Sequence, residues 1–291
     1  MHILITDSGV GGLSVCAYAE RFVRTHGFKQ PVRLTFANAA PDNDYGYNAM
    51  PSRQVKLQTF DRFLGRVAEV YAPDFVYVAC NTLSVLLPDT PYARAAAIPI
   101  KGIVDTGVES LMRELADRPR TTAMIFATQT TIDAGAYEHL LQARGVEASH
   151  IISQACPGLA DTISEDREGA RARVQIAKWV SAAIERMPDA SAPVVACLAC
   201  THYGYRKQLF ADALAGAGIH ATVVNPNERA VDDMFGTPSQ DSGSCRDASV
   251  ELVTRYAIPD ATVEALTTFL ADISPRAVAA VQNFVHCPGL F

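Results

Sequence analysis

The chain has 291 residues, of which 49% are hydrophobic and 19% are charged. This length predicts one large or two ordinary domains, and the apolar fraction is ample for a packed core, which argues against wholesale disorder. The formal net charge is -6, and no run of Lys or Arg could follow a phosphate backbone, so a dedicated nucleic-acid binder is disfavoured. No stretch of about 18 uninterrupted apolar residues occurs, which disfavours a membrane span.

The N-terminus and the cysteines indicate the cellular compartment. The first residues, M-H-I-L-I-T-D-S-G, lack the basic region, apolar run and cleavage site of a secretory signal. Seven cysteines in a chain without such a signal argue against a disulfide scaffold. We therefore expect a reducing, cytoplasmic location, where each thiol is either a small buried residue or a reactive group.

The apolar pattern predicts alternating strands and helices. Short continuous apolar runs predict buried strands over residues 2–6, 75–79, 123–127 and 194–198, and a later strand is predicted over residues 250–256. Continuous runs are typical of parallel strands that are covered on both faces. Helices are predicted over residues 12–27, 133–144, 166–187, 205–215, 262–273 and 275–285, with a turn at 225–227 and a loop at 235–244. This alternation predicts an α/β fold with mostly parallel sheets.

An internal repeat connects the two halves of the chain. Each half has a strand followed by a polar turn, and later a strand followed by Ala-Cys and two polar residues. Asp7 lies 73 residues before Cys80, and Thr128 lies 72 residues before Cys200. Two matches in the same order at nearly equal spacing predict a duplicated α/β unit.

The duplication predicts two pseudo-symmetric domains with the active site in the cleft between them. We place the first domain at residues 1–104 with 225–291, and the second at residues 105–224. Ligands of open parallel sheets bind beyond the carboxyl ends of the strands. Cys80 of the first domain and Cys200 of the second both follow predicted strands. If the halves face each other, the two thiols approach a shared cleft from opposite sides.

Two thiols on opposite sides of a substrate suit racemisation or epimerisation without a cofactor. One thiolate removes a proton from carbon while the opposite thiol delivers one, and the product has the inverted configuration. An ordinary Cys pKa of about 8.5 lies near enough to neutrality for a thiol to be tuned as base or acid. Asp7 and His202 are the nearest candidates for tuning the two thiols, because each lies in one of the strand-end turns.

The cysteines also allow structural, metal-binding and redox interpretations. Cys16, Cys156, Cys245 and Cys287 are expected to be structural, and Cys197 should face away from Cys200 on its strand. Cys197 and Cys200 also form a C-x-x-C motif. A zinc site would normally need a second ligand pair, and a redox pair usually opens a helix, so neither metal nor redox chemistry is favoured.

Two loops offer further binding groups. The segment D-S-G-V-G-G at residues 7–12 enters a helix, and its backbone N–H groups favour an anion such as a substrate carboxylate; the alternative is that its glycines serve only a tight turn. It matches neither phosphate-binding nor dinucleotide-binding motifs. Tyr45 and Gly46 lie in a polar loop, and Tyr45 either lines the cleft or packs on the surface.

Four ordered motifs resemble those of bacterial glutamate racemases, in the cofactor-independent aspartate/glutamate racemase superfamily. They are D-S-G-V-G-G-L-S at residues 7–14, A-C-N-T at 79–82, A-T-Q-T-T-I at 127–132 with Ala136-Tyr137, and A-C-T-H-Y at 199–203. The resemblance implies Cys80 and Cys200 as the catalytic pair, no cofactor, no metal and an amino-acid substrate. It also implies that substrate is bound, or catalysis supported, by Asp7, Ser8, Tyr45, Gly46, Asn81, Thr82, Thr128, Thr131, Thr201 and His202.

The sequence departs from that family pattern at several places. Asp44 replaces the usual Pro before Tyr45, and an Asp earlier in the segment is replaced by Asn38. The expected basic segment after Gly46 is replaced by residues 47–53, and Gly204 replaces the Pro after C-T-H-Y. Ser164 occupies the position of a Glu that supports the second cysteine in many relatives, and Glu165 is the next residue. The chain also extends past residue 274, the typical end of the family. These departures bear on the substrate side chain more than on the chemistry.

Three functions are therefore compared. The first is a glutamate racemase that supplies D-glutamate, which in bacteria feeds peptidoglycan synthesis. The second is a racemase of another amino acid, such as aspartate, and the third is a non-catalytic amino-acid-binding protein; the intact cysteine pair argues against the third. The expected partner is a small amino-acid substrate rather than nucleic acid or a membrane. A homodimer is a possible oligomeric state.

Overall fold

The computed structural model describes residues 1–42, 45–116, 118, 120–189, 191–236 and 243–291. The chain divides into two compact units, Met1–Ile103 with Ala230–Phe291, and Val104–Arg229. Each unit is built around one parallel sheet, and each is described by itself below.

The strands of the described residues are numbered in chain order. They are β1 (His2–Asp7), β2 (Val32–Asn38), β3 (Phe75–Val78), β4 (Ile100–Gly102), β5 (Thr122–Ala127), β6 (Ile151–Ala155), β7 (Val194–Ala199), β8 (Ala221–Val224), β9 (Ala248–Thr254) and β10 (Val285–His286). The first unit has the strand order β10-β9-β2-β1-β3-β4, and the second has the order β6-β5-β7-β8. Every pairing within these two sheets is parallel.

The helices cover the faces of the sheets. They are α1 (Leu13–His26), α2 (Arg53–Tyr71), α3 (Asn81–Ser84), α4 (Pro91–Ala95), α5 (Ile103–Leu115), α6 (Gln129–Ala134), α7 (Ala136–Ala143), α8 (Leu159–Glu165), α9 (Ala170–Ile184), α10 (Lys207–Gly216), α11 (Pro226–Phe235), α12 (Asp260–Leu270) and α13 (Pro275–Gln282). None of the helices in the described part of the chain is long and apolar enough to cross a membrane.

The predicted α/β class with parallel sheets is confirmed, and the two units share one strand arrangement. The order β2-β1-β3-β4 in the first unit is repeated as β6-β5-β7-β8 in the second. The register is also the same, because Thr6 pairs with Val78 and Ala127 pairs with Ala199, each pair 72 residues apart. In this register Ser8, rather than Asp7, occupies the position relative to Cys80 that Thr128 occupies relative to Cys200. The shared arrangement is what an internal duplication predicts.

The bounds of the four predicted core strands are confirmed within one residue at each end. Nearly all of their side chains are buried on both faces, as the continuous apolar runs predict. Several helices differ from the prediction. Residues 133–144 do not form one helix, since Gly135 adopts a left-handed conformation and separates α6 from α7. The predicted helix over 275–285 ends at Gln282, and Val285 lies in β10. Of the predicted loop at 235–244, residues 237–242 lie outside the described residues.

Candidate active site

In the first unit, Asp7 lies at the carboxyl end of β1 and is anchored by the glycine turn. Its Oδ2 accepts a hydrogen bond from the Gly12 backbone N–H at 2.5 Å, and its Oδ1 accepts one from the Ser8 hydroxyl at 3.4 Å. A Cβ atom on Gly12 would lie 2.9 Å from Asp7 Oδ2 and 3.0 Å from the Ala79 Cβ. The glycine is therefore needed here for close approach between the turn and the end of β3.

Cys80 follows β3 and has hydrogen-bond donors on more than one side. Its side chain is only 4% exposed, and its Sγ lies 3.0 Å from the Ser8 hydroxyl oxygen. Burial, with the nearby Asp7 carboxylate, raises the pKa of the Cys80 thiol well above its ordinary value. Hydrogen bonds from the backbone N–H groups of Ser8 and Leu83, and from the Ser8 hydroxyl when its single proton is directed to the sulfur instead of to Asp7, act in the opposite direction. The free protein thus favours the protonated thiol and already holds donors for a thiolate.

The residues after Cys80 are fixed by the short helix α3. Asn81 and Thr82 open this helix and are both buried. The Ser84 hydroxyl donates to the Val78 carbonyl at 3.1 Å and accepts from the Ile103 N–H at 3.0 Å. Ser84 therefore ties the helix to the end of β3 and to the start of α5, and it holds the turn that carries Cys80.

Tyr45 is not joined to these groups by any contact of the described residues. Its side chain is 43% exposed, and no hydrogen bond or ring contact connects it to Asp7, Ser8 or Cys80 in the part of the chain that is described. Gly46 has an extended backbone with open space around it. Asp44, the departure that precedes Tyr45, lies outside the described residues. A binding role for Tyr45 and Gly46 stays a prediction.

In the second unit, β5 and β7 are neighbours and end at the same level. Thr128 follows β5 and caps α6, where its hydroxyl accepts a hydrogen bond from the Thr131 N–H at 3.4 Å. The hydroxyl oxygens of Thr128 and Thr131 lie 3.1 Å apart. Because Ala127 pairs with Ala199, Thr128 stands beside Cys200 at the carboxyl edge of the sheet.

Cys200 has a different environment from Cys80. Its side chain is 6% exposed, and its Sγ lies 3.9 Å from Nδ1 of His202. This pairs the second thiol with an imidazole, whereas the first thiol is paired with a hydroxyl and a nearby carboxylate. An imidazole can take up or release a proton near neutral pH.

Two residues that support the Cys200 turn were not predicted. Asn227, fully buried in α11, donates from Nδ2 to the Thr201 carbonyl at 2.9 Å. The Tyr203 hydroxyl donates to the carbonyls of Cys156 at 3.2 Å and Ala127 at 3.4 Å. Asn227 therefore connects the Cys200 turn to α11, and Tyr203 connects it to the ends of β5 and β6. The buried tyrosine of the A-C-T-H-Y motif was a usable signal, but Asn227 acts through a tertiary contact that spacing does not reveal.

A second unpredicted group lies at the carboxyl ends of β2 and β9 in the first unit. Asn38 Nδ2 donates to the Tyr256 hydroxyl oxygen at 2.9 Å, and its Oδ1 accepts from the Ala40 N–H. Burial raises the pKa of Tyr256, and the nearby Asp7 and Asp42 act in the same direction. The departure at Asn38 thus orients a tyrosine near Asp7.

Two further departures have local explanations. Ser164, at the position of the supporting Glu, turns its hydroxyl onto the Ala160 carbonyl of its own helix, and Glu165 is exposed and pairs with Arg171 at 3.7 Å. Gly204 lies against the Asn225 side chain, since a Cβ there would meet Asn225 Nδ2 at 2.7 Å.

Of the remaining thiols, Cys16, Cys156 and Cys197 are buried, and Cys245 and Cys287 are partly exposed. Burial raises the pKa values of Cys16, Cys156 and Cys197 to about 12 each. Across the described residues, none of the seven cysteines forms a disulfide, and no group of three His, Cys, Asp or Glu side chains could hold a metal ion. In the C-x-x-C motif, Cys197 lies within β7 and Cys200 follows the end of that strand.

A Gly12→Ala substitution tests the packing of the turn that holds Asp7. The added methyl group has to displace the Asp7 carboxylate or Ala79, so we expect a loss of about 1–3 kcal/mol in the free energy of unfolding. Urea denaturation measures it. Gly216→Ala is the matched control, because nothing lies within 4 Å of a Cβ there. Equal stability of the two variants would contradict the close approach at Gly12.

With this geometry in view, the comparisons with known proteins identify the family. The chain belongs to the Asp/Glu/Hydantoin racemase family, which matches residues 21–234. It resembles the glutamate racemase of Roseiflexus sp. (strain RS-1), at 28% identity over 201 residues, 68% of this chain and 65% of the relative. It also resembles that of Methylococcus capsulatus, at 28% identity over 223 residues, 74% of this chain and 72% of the relative. The chain thus matches just under two thirds of the length of the Roseiflexus protein.

Solved structures of glutamate racemases have the same fold. The RacE1 isoform from Bacillus anthracis superposes with a TM-score of 0.72 at 19% identity, covering 92% of this chain and 93% of that one. The enzyme from Aquifex pyrophilus gives a TM-score of 0.69 at 22% identity with full coverage of both chains. The Francisella tularensis enzyme, solved in complex with D-glutamate, gives 0.69 at 19% identity, covering 94% of each chain.

Proposed function

We propose that this protein is a glutamate racemase that interconverts L- and D-glutamate by a two-base mechanism without a cofactor. The observation that carries the proposal is the equivalent placement of two thiols. Cys80 and Cys200 each follow the third strand, in chain order, of a repeated four-strand arrangement. Each is at the same register as the hydroxyl residue, Ser8 or Thr128, that follows the first strand of its unit. The glutamate assignment is supported by the names of the relatives and by the D-glutamate complex of one of them.

The proposed chemistry begins with removal of the α-proton. One thiolate takes the proton from one face of the α-carbon, and the electron pair of the C–H bond remains on carbon as a planar carbanion. The thiol on the opposite face then donates its proton to that carbon. The substrate is inverted, and the two thiols have exchanged protonation states. Proton transfer to solvent or neighbours restores the enzyme for the next turnover.

The two sides of the proposed site assist these steps differently. On the Cys80 side, Ser8 and the backbone N–H groups are proposed to stabilise negative charge on sulfur. Asp7 is proposed as the proton acceptor, because its carboxylate interacts electrostatically with the thiol. On the Cys200 side, the His202 imidazole is that acceptor. The hydroxyl and amide groups of Asn81, Thr82, Thr128, Thr131 and Thr201 are proposed to bind the substrate, together with Tyr45 and Gly46.

A racemase of another amino acid is the second candidate. It is supported by the family description, which includes racemases of aspartate and hydantoin as well as of glutamate. A non-catalytic binding protein is disfavoured, because such a protein has no need for two thiols with tuned surroundings.

An exchange experiment in heavy water separates these functions. Each enantiomer of a panel of amino acids is incubated with the protein in D₂O, and α-deuterium is read by mass spectrometry and configuration by chiral chromatography. We expect deuterated product of both configurations from glutamate, with chelator present and without added pyridoxal phosphate. A response to aspartate alone would support the second candidate, and no exchange on any substrate would contradict racemase activity. A Cys80→Ala/Cys200→Ala double variant gives the background from contaminating enzymes.

A further inference from the structure

Tyr47 is a buried tyrosine that neither the predicted motifs nor the proposed mechanism uses. It follows Gly46 and opens a short 3-10 helix, Tyr47–Ala49. Its side chain is only 1% exposed, and its ring contacts the Phe60 ring edge to face, with centroids 6.4 Å apart and an interplanar angle of 90°. The hydrophobic cluster that contains both rings also contains Cys80.

The Tyr47 hydroxyl has no hydrogen-bond partner among the described residues, although its oxygen is fully buried. A buried hydroxyl that has lost its water and gained no partner destabilises the folded state, so most are paired. Phenylalanine would fill the same space beside Phe60 without this cost. An unpaired donor therefore needs a reason. The Cys80 thiol belongs to the same buried cluster as Tyr47 and interacts with the phenol electrostatically.

We propose that the Tyr47 hydroxyl is a positioning residue, a hydrogen-bond donor reserved for the sulfur of Cys80 when that sulfur becomes a thiolate. The identity of the step rests on the proposed function, in which Cys80 alternates between thiol and thiolate. In the structure described here the sulfur is near the Ser8 hydroxyl, at 3.0 Å. The phenol makes no hydrogen bond to any described residue in this state, so its proposed role requires the sulfur, once ionised, to accept the phenol proton.

The charges around Cys80 explain why a further donor is useful. Burial, followed by the Asp7 carboxylate, opposes ionisation of the thiol, while donors from Ser8 and Leu83 favour it. Thiolates accept several hydrogen bonds, and bonds to charged groups are stronger than bonds between neutral ones. Burial also raises the pKa of Tyr47, opposed by Arg62, so the phenol keeps its proton and donates a hydrogen bond only.

The test is the reactivity of Cys80 in the free protein. Iodoacetamide alkylation of Cys80 is followed by peptide mass spectrometry from pH 6 to 10 in the wild type and in Tyr47→Phe. Below the midpoint, the thiolate fraction and hence the alkylation rate rise tenfold per pH unit, so the displacement between the two rate profiles gives the change in midpoint although burial places the midpoint itself high. Loss of the donor is expected to raise the midpoint by about one pH unit, a tenfold loss of thiolate at fixed pH. Asp7 and Arg62 are unchanged in this variant, so the shift isolates the hydroxyl.

Two controls accompany the variant. Tyr92→Phe removes the hydroxyl of a tyrosine that packs against the same cluster, and it should leave the Cys80 midpoint unchanged. Alkylation of Cys200 in the same samples reports any general effect on the fold. Since the Tyr47 hydroxyl has no partner to lose, urea denaturation should show Tyr47→Phe to be at least as stable as the wild type.

The outcomes separate this inference from the proposed function. An unchanged or lowered Cys80 midpoint in Tyr47→Phe would overturn the inference, whatever the racemase activity. A raised midpoint would support it even if the exchange experiment found no substrate. If Tyr47→Phe does not fold, Tyr47→Met, which also lacks the hydroxyl, is measured in its place by the same criterion.

Discussion

Replacing either Cys80 or Cys200 by alanine is expected to abolish racemisation, because one thiol cannot serve both faces of the α-carbon. A general acid or base typically contributes about 10²–10⁴-fold, so each variant should lose at least that much turnover in both directions. Chiral chromatography of the products from each enantiomer measures the loss. Any remaining α-deuterium exchange should be confined to one enantiomer in each variant, and to opposite enantiomers in the two variants.

Buried thiols outside the strand-end turns provide matched controls for this result. Cys16→Ala and Cys197→Ala change one fully buried cysteine in each unit, and both should retain turnover. Near wild-type racemisation in Cys80→Ala or Cys200→Ala would rule out the two-base mechanism. Loss of activity in the controls without loss of folding would show that the structural assignment of the other cysteines is wrong.

The pH dependence should reflect the raised pKa of Cys80. Burial and Asp7 keep this thiol protonated through neutral pH in the free protein, so it is ready to act as an acid. Its action as a base should increase as the pH rises toward that pKa.

The free energy of unfolding should also depend on the raised pKa of Cys80. The unfolded chain ionises first, at about 8.5, so the contribution of the neutral Cys80 thiol is complete below that pH and is lost as the pH rises toward the folded-state value.

The core strands and the catalytic turns could be predicted because their signals are local. Strands such as β1 and β7 are continuous apolar runs, and each ends in a polar turn at the carboxyl edge of a parallel sheet. Helix α2 was missed, although Phe60, Phe63, Leu64 and Val67 lie on one face at helical spacing. This spacing is visible in the sequence itself, so α2 also has a local signal.

Other parts of the site depend on contacts that no local pattern contains. The 3.0 Å approach of Ser8 to Cys80 follows from the β1–β3 register, which joins positions 72 residues apart. The bond from Asn227 to the Thr201 carbonyl depends on where α11 begins. The burial of Tyr47 depends on α2 packing over β1 and β3, so the sequence shows only an aromatic residue after Gly46. Tertiary packing brings such residues to the site, and substitution measures how much each contributes to activity or stability.

Substitution of the groups beside the two thiols is expected to slow both directions by unequal factors. Asp7→Asn removes a carboxylate that opposes ionisation of Cys80, so the alkylation midpoint of Cys80 should fall. Turnover should fall as well, because the amide cannot accept the proton that the carboxylate accepts. A free energy of unfolding equal to that of the wild type would show that the loss of turnover does not come from damage to the Gly12 turn. Asp74→Asn, at the amino end of β1, is the matched control.

The His202→Asn variant tests the other side by the same reasoning. The imidazole lies 3.9 Å from the Cys200 sulfur, and asparagine cannot take up a proton near neutral pH. We expect kcat to fall in both directions. The fold loss for the D substrate divided by that for the L substrate should differ between His202→Asn and Asp7→Asn, because the two groups assist opposite thiols. The equilibrium constant between enantiomers is one, so kcat/KM must stay equal in the two directions for every variant, which checks the data internally. His220→Asn, at an exposed position, should leave the kinetics unchanged. Full activity in both Asp7→Asn and His202→Asn would remove these side chains from the mechanism and leave the thiols tuned by hydroxyl and backbone groups alone.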